Sequence, residues 1–575
     1  MTARQKFLEI DLPNRDLKIK KIEDQVLEKY PAGSALATKI LFDYFVQEPL
    51  RCASPEGCYL VFTLGLFADL NFSGLNSIFV TFPEPHAGNF EESTLCGKFA
   101  GAFRSTGWAG FSLSGKSDVP VIVVFEKNQA YLEELPENSG VRDLSSFFRK
   151  YRDEGHEVLT VVETVTNSPG ITLLASDSGD ARMLTGGPGL AALLYLKNVL
   201  ALVVRRDPLE ESFRPQDSAR ISDKTNLWLV RESLKNWSDE LYISNPADLL
   251  AEFEALFSTA EPIGSACPGC EVECRQRVRF PDLEISCIRP GPIDLLNLLV
   301  LKKKVPDCIH LWKSLNDAGI DLELFASIYN FLEQARREGY ELFERDHLTV
   351  DELFTNLLEK KGEFRALSEG LYLGAERYHV FGAEAANLVR NFELPVSVDV
   401  RVSTMLSLLA LTGVSRPRIP QIFWHYYFNR QQPACFWDDS KALYSVRSAI
   451  EFQDYQGVLG ILGFCPQACI LNWTRQELDQ IFKGLGSGMS FSSLLLASRR
   501  AYILKRIFNL KRASFPYERI SWRMLVKPKI FDDRNYFSDF QRTIFLYYSE
   551  RGMNEFGFPG SEIIKELGLE AEAWI

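Results

Sequence analysis

Three thiols fall within eight residues in the stretch GSACPGCEVECRQRV (264–278): Cys267, Cys270 and Cys274. A Cys-x-x-Cys-x-x-x-Cys loop can bring successive thiolates to three corners of an iron–sulfur cube, which a remote fourth cysteine then closes. One zinc ion could use the same loop, but zinc sites more often pair two Cys or His knuckles, and no second knuckle lies nearby. Cys287, Cys308, Cys435, Cys465 and Cys469 are the candidates for a fourth ligand. Spacing alone does not choose among them.

Other groupings carry less. GLGSGMS (484–490) has the glycines of a phosphate loop without its Lys-Ser/Thr ending and reads as a plain loop. LKKKVPD (301–307) reads as a solvated helix end that could also dock an acidic electron carrier. Cys308 and His310 are two apart, which puts them on different faces of a helix. No Ser/His/Asp or Cys/His catalytic set is evident.

The chain that must position these thiols has 575 residues, too many for one hydrophobic core. At 46% hydrophobic and 24% charged residues it has the composition of a folded protein, and 41 Phe imply aromatic-rich interiors. A net charge of −12 argues against nucleic acid or an anionic membrane as partner. No apolar run reaches the roughly 18–20 residues of a membrane helix, and the first residues do not pattern as a signal peptide. Eleven cysteines without a small disulfide framework fit a reducing compartment, so the expected location is cytoplasmic.

The pattern predicts an α+β protein. Residues 1–205 form a β-rich domain, with strand-like runs at 59–67, 77–82, 119–125 and 157–165. Helical periodicity then takes over at 245–258, 321–339 and 498–510. A mostly helical middle domain (206–415) carries the thiol loop, and a helical domain (416–575) opens near SRPRIP (415–420).

The chain resembles the aldehyde ferredoxin oxidoreductase family, whose enzymes carry tungsten on two pterins beside one [4Fe–4S] cluster. The likeness runs through FLEIDLPNRDLKI, GSALATKIL, GKFAGAFRSTGWAGFSLSGKS (97–117), TGGPG (185–189), LSEGLYLGAERYH (367–379), RIFNLK (506–511) and YYSERGMNEFGFPGSEIIKELGLE (547–570), besides the thiol loop. It touches all three expected domains. In the family the first domain is the base on which the pterins lie, and helices of the other two cover them. The family's fourth cluster ligand follows a helix with a Phe-Gln-Asp segment. The similar EFQDYQGVLGILGFC (451–465) implies a [4Fe–4S] cluster on Cys267, Cys270, Cys274 and Cys465.

The resemblance also implies pterin-site positions, and there the sequence departs from the family. Two Asp-x-x-Gly-Leu signatures normally supply carboxylates to pterin N–H donors. Here NDAGID (316–321) puts Asn316 at the first, followed by Asp321, and GILGFC (460–465) puts Gly460 at the second. Losing both charges would forfeit charge-assisted bonds of about 1.5–3 kcal/mol each. Asn76 replaces the family's bridging arginine, and Gly186 and Gly187 remain of the phosphate-approach segment, with Thr185 in its basic slot. DVRV (399–402) sets Val402 where a glycine is expected, His425 lacks the context of the active-site histidine, and no equivalent of the active-site glutamate is found. These departures favour a [4Fe–4S] electron-transfer or assembly subunit with an eroded pterin site. The alternative is an active tungsten- or molybdenum-pterin oxidoreductase acting on an aldehyde or related oxo substrate. Ferredoxin or another redox subunit is the expected partner, within a homo- or hetero-oligomer.

Overall fold

The structure, a computed structural model, describes the chain outside residues 1–3, 71–73, 136–147, 149–150, 179–180, 206–245, 266, 268–269, 271–275, 302–303, 338–347, 363, 379–385, 395, 397–399, 401–403, 418–438, 467–473, 487, 513–535 and 574–575. Cys274, Cys435, Cys469, Val402 and His425 lie outside the described residues.

The N-terminal region builds two six-stranded mixed sheets. The first contains β1 (Lys6–Asp11), β2 (Asp16–Lys21), β3 (Leu60–Leu64), β4 (Ser77–Pro83), β5 (Phe90–Cys96) and β6 (Gly110–Ser114), in the order β2-β1-β6-β3-β4-β5 with β1 and β6 parallel. The second contains β7 (Val121–Glu126), β8 (Gln129–Glu134), β9 (Glu157–Thr160), β10 (Leu174–Ser178), β11 (Ala181–Thr185) and β12 (Val199–Val204), ordered β11-β10-β9-β12-β7-β8 with β7 and β12 parallel.

Strand alternation explains the layering, because successive side chains point to opposite faces. Leu60 and Phe62 of β3 and Ile78 and Val80 of β4 face Val121, Val123 and Phe125 of β7 in one core between the sheets. Phe62 stacks on Phe111 at 4.2 Å between centroids, and Phe111 meets Phe125 at 4.6 Å. On the far side of the first sheet, Phe7 and Val61 share a core with Ala35, Leu36, Leu41 and Phe42 of helix α1 (Gly33–Gln47). Ile122 and Val124 belong to a third core outside the second sheet. Runs such as LVFTL are buried throughout because both faces are covered, and the one polar member, Thr63, donates its hydroxyl to Gly33 O at 2.8 Å. The 157–165 run is shorter than the sequence suggests. Its strand ends at Thr160, and a 3₁₀ turn at Glu163–Thr166 redirects the chain toward the helices.

Beyond the second sheet the described chain is largely helical, apart chiefly from a three-stranded sheet of β13 (Glu261–Ser265), β14 (Gln276–Phe280) and β15 (Ile285–Ile288). The helices that matter for the site are α2 (Val305–Ala318), α3 (Leu322–Arg337), α4 (Asp439–Leu462) and α5 (Phe491–Arg512). Among the described residues no helix is long and apolar enough to cross a membrane.

Two helix ends are seated on the N-terminal region by backbone hydrogen bonds, which satisfy groups that a helix terminus leaves without intrahelical partners. At the end of α2, Leu173 N–H donates to Gly319 O (2.8 Å) and Asp321 N–H to Ile171 O (2.9 Å). At the end of α4, Leu66 and Phe67 N–H donate to Ile461 O (2.9 Å) and Leu462 O (3.0 Å), and Cys465 N–H donates to Gly74 O (2.8 Å). Glycine makes the second approach possible: a Cβ on Gly65 would lie 2.1 Å from Gly463 Cα, and one on Gly33, at φ +52°, would lie 2.1 Å from Gly460 O.

Candidate metal centre and adjoining cavity

Seating α4 in this way puts Cys465 against the end of β5. Its Sγ is 3.4 Å from Sγ of Cys96, a residue that no motif in the sequence singles out. Cys96 is itself held in place: its N–H donates to Thr185 Oγ1 at 2.9 Å, and Ser77 Oγ lies 3.7 Å from its sulfur. The hydrogen bond with Cys465, burial and the nearby Cys267 hold the Cys96 thiol well above the ordinary cysteine range. Cys267 and Cys96 pack around Met183 and Ile288 in a small apolar cluster, and Cys270 N–H donates to Cys267 O at 3.3 Å.

Cys96, Cys267 and Cys465 all line one cavity of about 520 Å³ between the sheets and the helices. Of the other candidate ligands within the described residues, Cys287 and Cys308 are core thiols at 3% and 0% exposure. Burial pushes Cys287 up to about 12, and Cys308 Sγ points at Leu298 O (3.8 Å). Among the described residues no three His, Cys, Asp or Glu side chains meet at metal-binding distance, and Cys274 lies outside them. Cys267 and the helix-end Cys465, thiols beside an apolar patch, are donors of the type an iron–sulfur cluster takes.

The pterin-equivalent positions divide. Asn316, Asp321 and Gly186 line the cavity, whereas Asn76 and Gly187 are not in its lining. Asn316 donates its amide to Trp312 O at 2.8 Å, and Trp312 Nε1–H donates to Ile288 O at 2.6 Å. Asp321 Oδ1 accepts from Glu323 N–H (2.8 Å) and Leu324 N–H (3.2 Å), so it caps α3. Asn76 Oδ1 accepts from Arg104 Nη1 at 3.2 Å. Gly460, at the second carboxylate position, faces α1 at close quarters: a Cβ there would meet Ser34 Oγ at 2.6 Å and Phe79 at 3.5 Å. Gly460 nevertheless lines the cavity and brings no side chain to it, and Asn316 spends its amide on Trp312 O, so the family's paired-carboxylate grip on two pterins does not fit these residues.

Part of the remaining wall is charged. Arg416, which the sequence shows only as part of a domain boundary, pairs with Glu393 and stands 3.6 Å from the fully buried Glu91. Burial opposes its charge, but Glu393, Glu91 and Glu84 outweigh burial and keep it protonated. Lys505 of α5 pairs with Glu92 of β5, and Asn509 anchors the same helix by accepting from Phe90 N–H at 2.6 Å. Gln453 of the lining accepts at Oε1 from Tyr547 Oη and from Arg551 Nη2 (2.9 Å), and behind it Arg551 is paired with the buried Asp454 at 2.5 Å. Asn297, 1% exposed on the cavity wall, has no hydrogen-bond partner for its Oδ1 among the described residues.

A family model for the aldehyde ferredoxin oxidoreductase N-terminal domain matches residues 7–206, and one for domains 2 and 3 of the same family matches residues 225–569. No curated protein matches the chain. A solved structure described as the active site complex BamBC of benzoyl coenzyme A reductase, in complex with 1,5 dienoyl-CoA, aligns with a TM-score of 0.70 at 16% identity. The alignment covers 99% of this chain and 98% of that one, and identity that low speaks to fold alone. With matches across both halves and an agreeing fold, the chain belongs to the aldehyde ferredoxin oxidoreductase family.

Proposed function

We propose that this protein is a [4Fe–4S] redox protein of its family, with the cluster on Cys267, Cys270, Cys274 and Cys465, and that it serves electron transfer or assembly rather than aldehyde oxidation. The observation that carries this reading is the lining of one cavity by Cys267 and Cys465, which are far apart in sequence, while Gly460 and Asn316 on the same lining offer no carboxylate for a pterin. A bound cluster supplies one-electron transfer, at a potential set by burial, hydrogen bonds to sulfur and net charge. The chain's own contribution is to converge the thiolates through the α4 docking and to shield them with Met183 and Ile288. Ferredoxin or another redox subunit is the proposed partner, and the reducing cytoplasm the compartment that keeps the thiols free.

A second reading, an active tungsten- or molybdenum-pterin oxidoreductase, draws support from the open cavity and from Asn297, whose unpartnered buried acceptor suits a ligand N–H or O–H donor. Tungsten, molybdenum and pterin analysis of protein purified anaerobically from its natural source separates the two. Iron without stoichiometric metallopterin is the expected result; one metallopterin per chain would overturn it.

A further inference from the structure

Cys96 sits closer to Cys465 than two ligands of different irons can stand, since the metal core of a cube holds its four thiolates well apart. A separation of 3.4 Å is instead that of a sulfur hydrogen bond. The two cysteines therefore have different tasks. We propose that Cys96 is a positioning residue for the cluster: its S–H donates a hydrogen bond to the Cys465 thiolate and raises the cluster's reduction potential. The inference rests on the cluster assignment above and adds a residue to it.

The local geometry supports that role. In the metal-free chain either sulfur could be the donor, but a ligating Cys465 has no proton and can only accept. Cys96 is fixed at the C-terminal end of β5 by its N–H bond to Thr185 Oγ1 (2.9 Å). Ser77, 1% exposed, has its Oγ 3.7 Å from the Cys96 sulfur, placed to donate to it and leave the S–H for Cys465. Cys465 is fixed from its own side by its N–H bond to Gly74 O (2.8 Å). A donor to ligand sulfur stabilises the more negative, reduced state, so its removal lowers the potential.

The test compares anaerobically reconstituted wild type, Cys96→Ala and Cys96→Ser by iron content, potentiometric titration and pulsed EPR after exchange into D₂O. Cys96→Ala is expected to keep full iron and to lose one exchangeable-proton coupling. Its potential should fall by up to the tenfold change in the oxidised-to-reduced ratio that about 59 mV represents for one electron. Cys96→Ser retains an O–H donor and should return most of the shift, which a merely packing role would not produce. Full iron with an unchanged potential in Cys96→Ala overturns the proposal. Loss of iron in Cys96→Ala with retention in Cys465→Ser also overturns it, by exchanging the two roles. A wild type that takes up no iron refutes the cluster assignment instead.

Discussion

The docking of the α4 end predicts a large effect from the smallest possible substitution at Gly65. This glycine does not occupy left-handed backbone, so alanine is conformationally acceptable there and only the contact matters. Its Cβ would stand 2.1 Å from Gly463 Cα, 2.3 Å from Gly463 N and 2.5 Å from Leu462 O, all backbone atoms that no rotamer change can remove. Carbon atoms in contact need about 3.5 Å, so the 65–67 loop and the helix end must part by roughly 1.4 Å. The bonds from Leu66 N–H to Ile461 O and from Phe67 N–H to Leu462 O, now 2.9 and 3.0 Å, cannot survive that separation. Two lost backbone bonds at about 0.5–1.5 kcal/mol each, with overpacking of about 1–3 kcal/mol, give a destabilisation of about 2–6 kcal/mol. Denaturant unfolding of Gly65→Ala should show a lower midpoint, and Cys465 in the cluster-free protein should react faster with a thiol reagent. Gly484→Ala, at a helical glycine with nothing within 4 Å, is the control and should be neutral or slightly stabilising. Gly65→Ala with the midpoint and labelling rate of the wild type would refute the docking.

Breaking the buried pair behind the cavity wall with Asp454→Ala leaves Arg551 uncompensated and should cost about 3–5 kcal/mol in denaturant unfolding, against little for a change at the exposed Glu555. Lys197, fully buried, donates to Glu56 O (2.6 Å), Cys58 O (2.6 Å) and Gly115 O (3.3 Å), so Lys197→Met should destabilise by about 2–5 kcal/mol in the same assay. Burial and the Arg205 charge hold His156 below its ordinary value, against a smaller opposing pull from Glu154. The unfolded chain therefore takes up a proton first: this contribution to stability is whole above about pH 6.5 and is lost as pH falls through the folded value. His156→Gln should flatten that part of the stability profile.

The two halves of the fold were legible because their signals are local. β-Branched and aromatic runs such as LVFTL mark strands covered on both faces, and helical periodicity announces the helix at Pro246–Ser258. Cys96 was not legible, because a single cysteine at a strand end carries no spacing signal until the α4 end is laid against it; its only cue was its place just before the GKFAGAF stretch. Arg416 was equally opaque, since its partners Glu393 and Glu91 lie 23 and 325 positions away and its neighbours look like a linker. Gly460 read as a missing carboxylate, and its nearness to Ser34 and Phe79 of the N-terminal region is a tertiary fact.

The cluster assignment is tested most directly by the iron and acid-labile sulfide content of anaerobically reconstituted wild type, Cys465→Ser and Cys287→Ser, with EPR of the reduced proteins. Four irons per chain and a [4Fe–4S] signal are expected in the wild type and in Cys287→Ser, with loss of the intact cluster in Cys465→Ser. A full cluster in Cys465→Ser, or its loss in Cys287→Ser alone, would contradict the assignment.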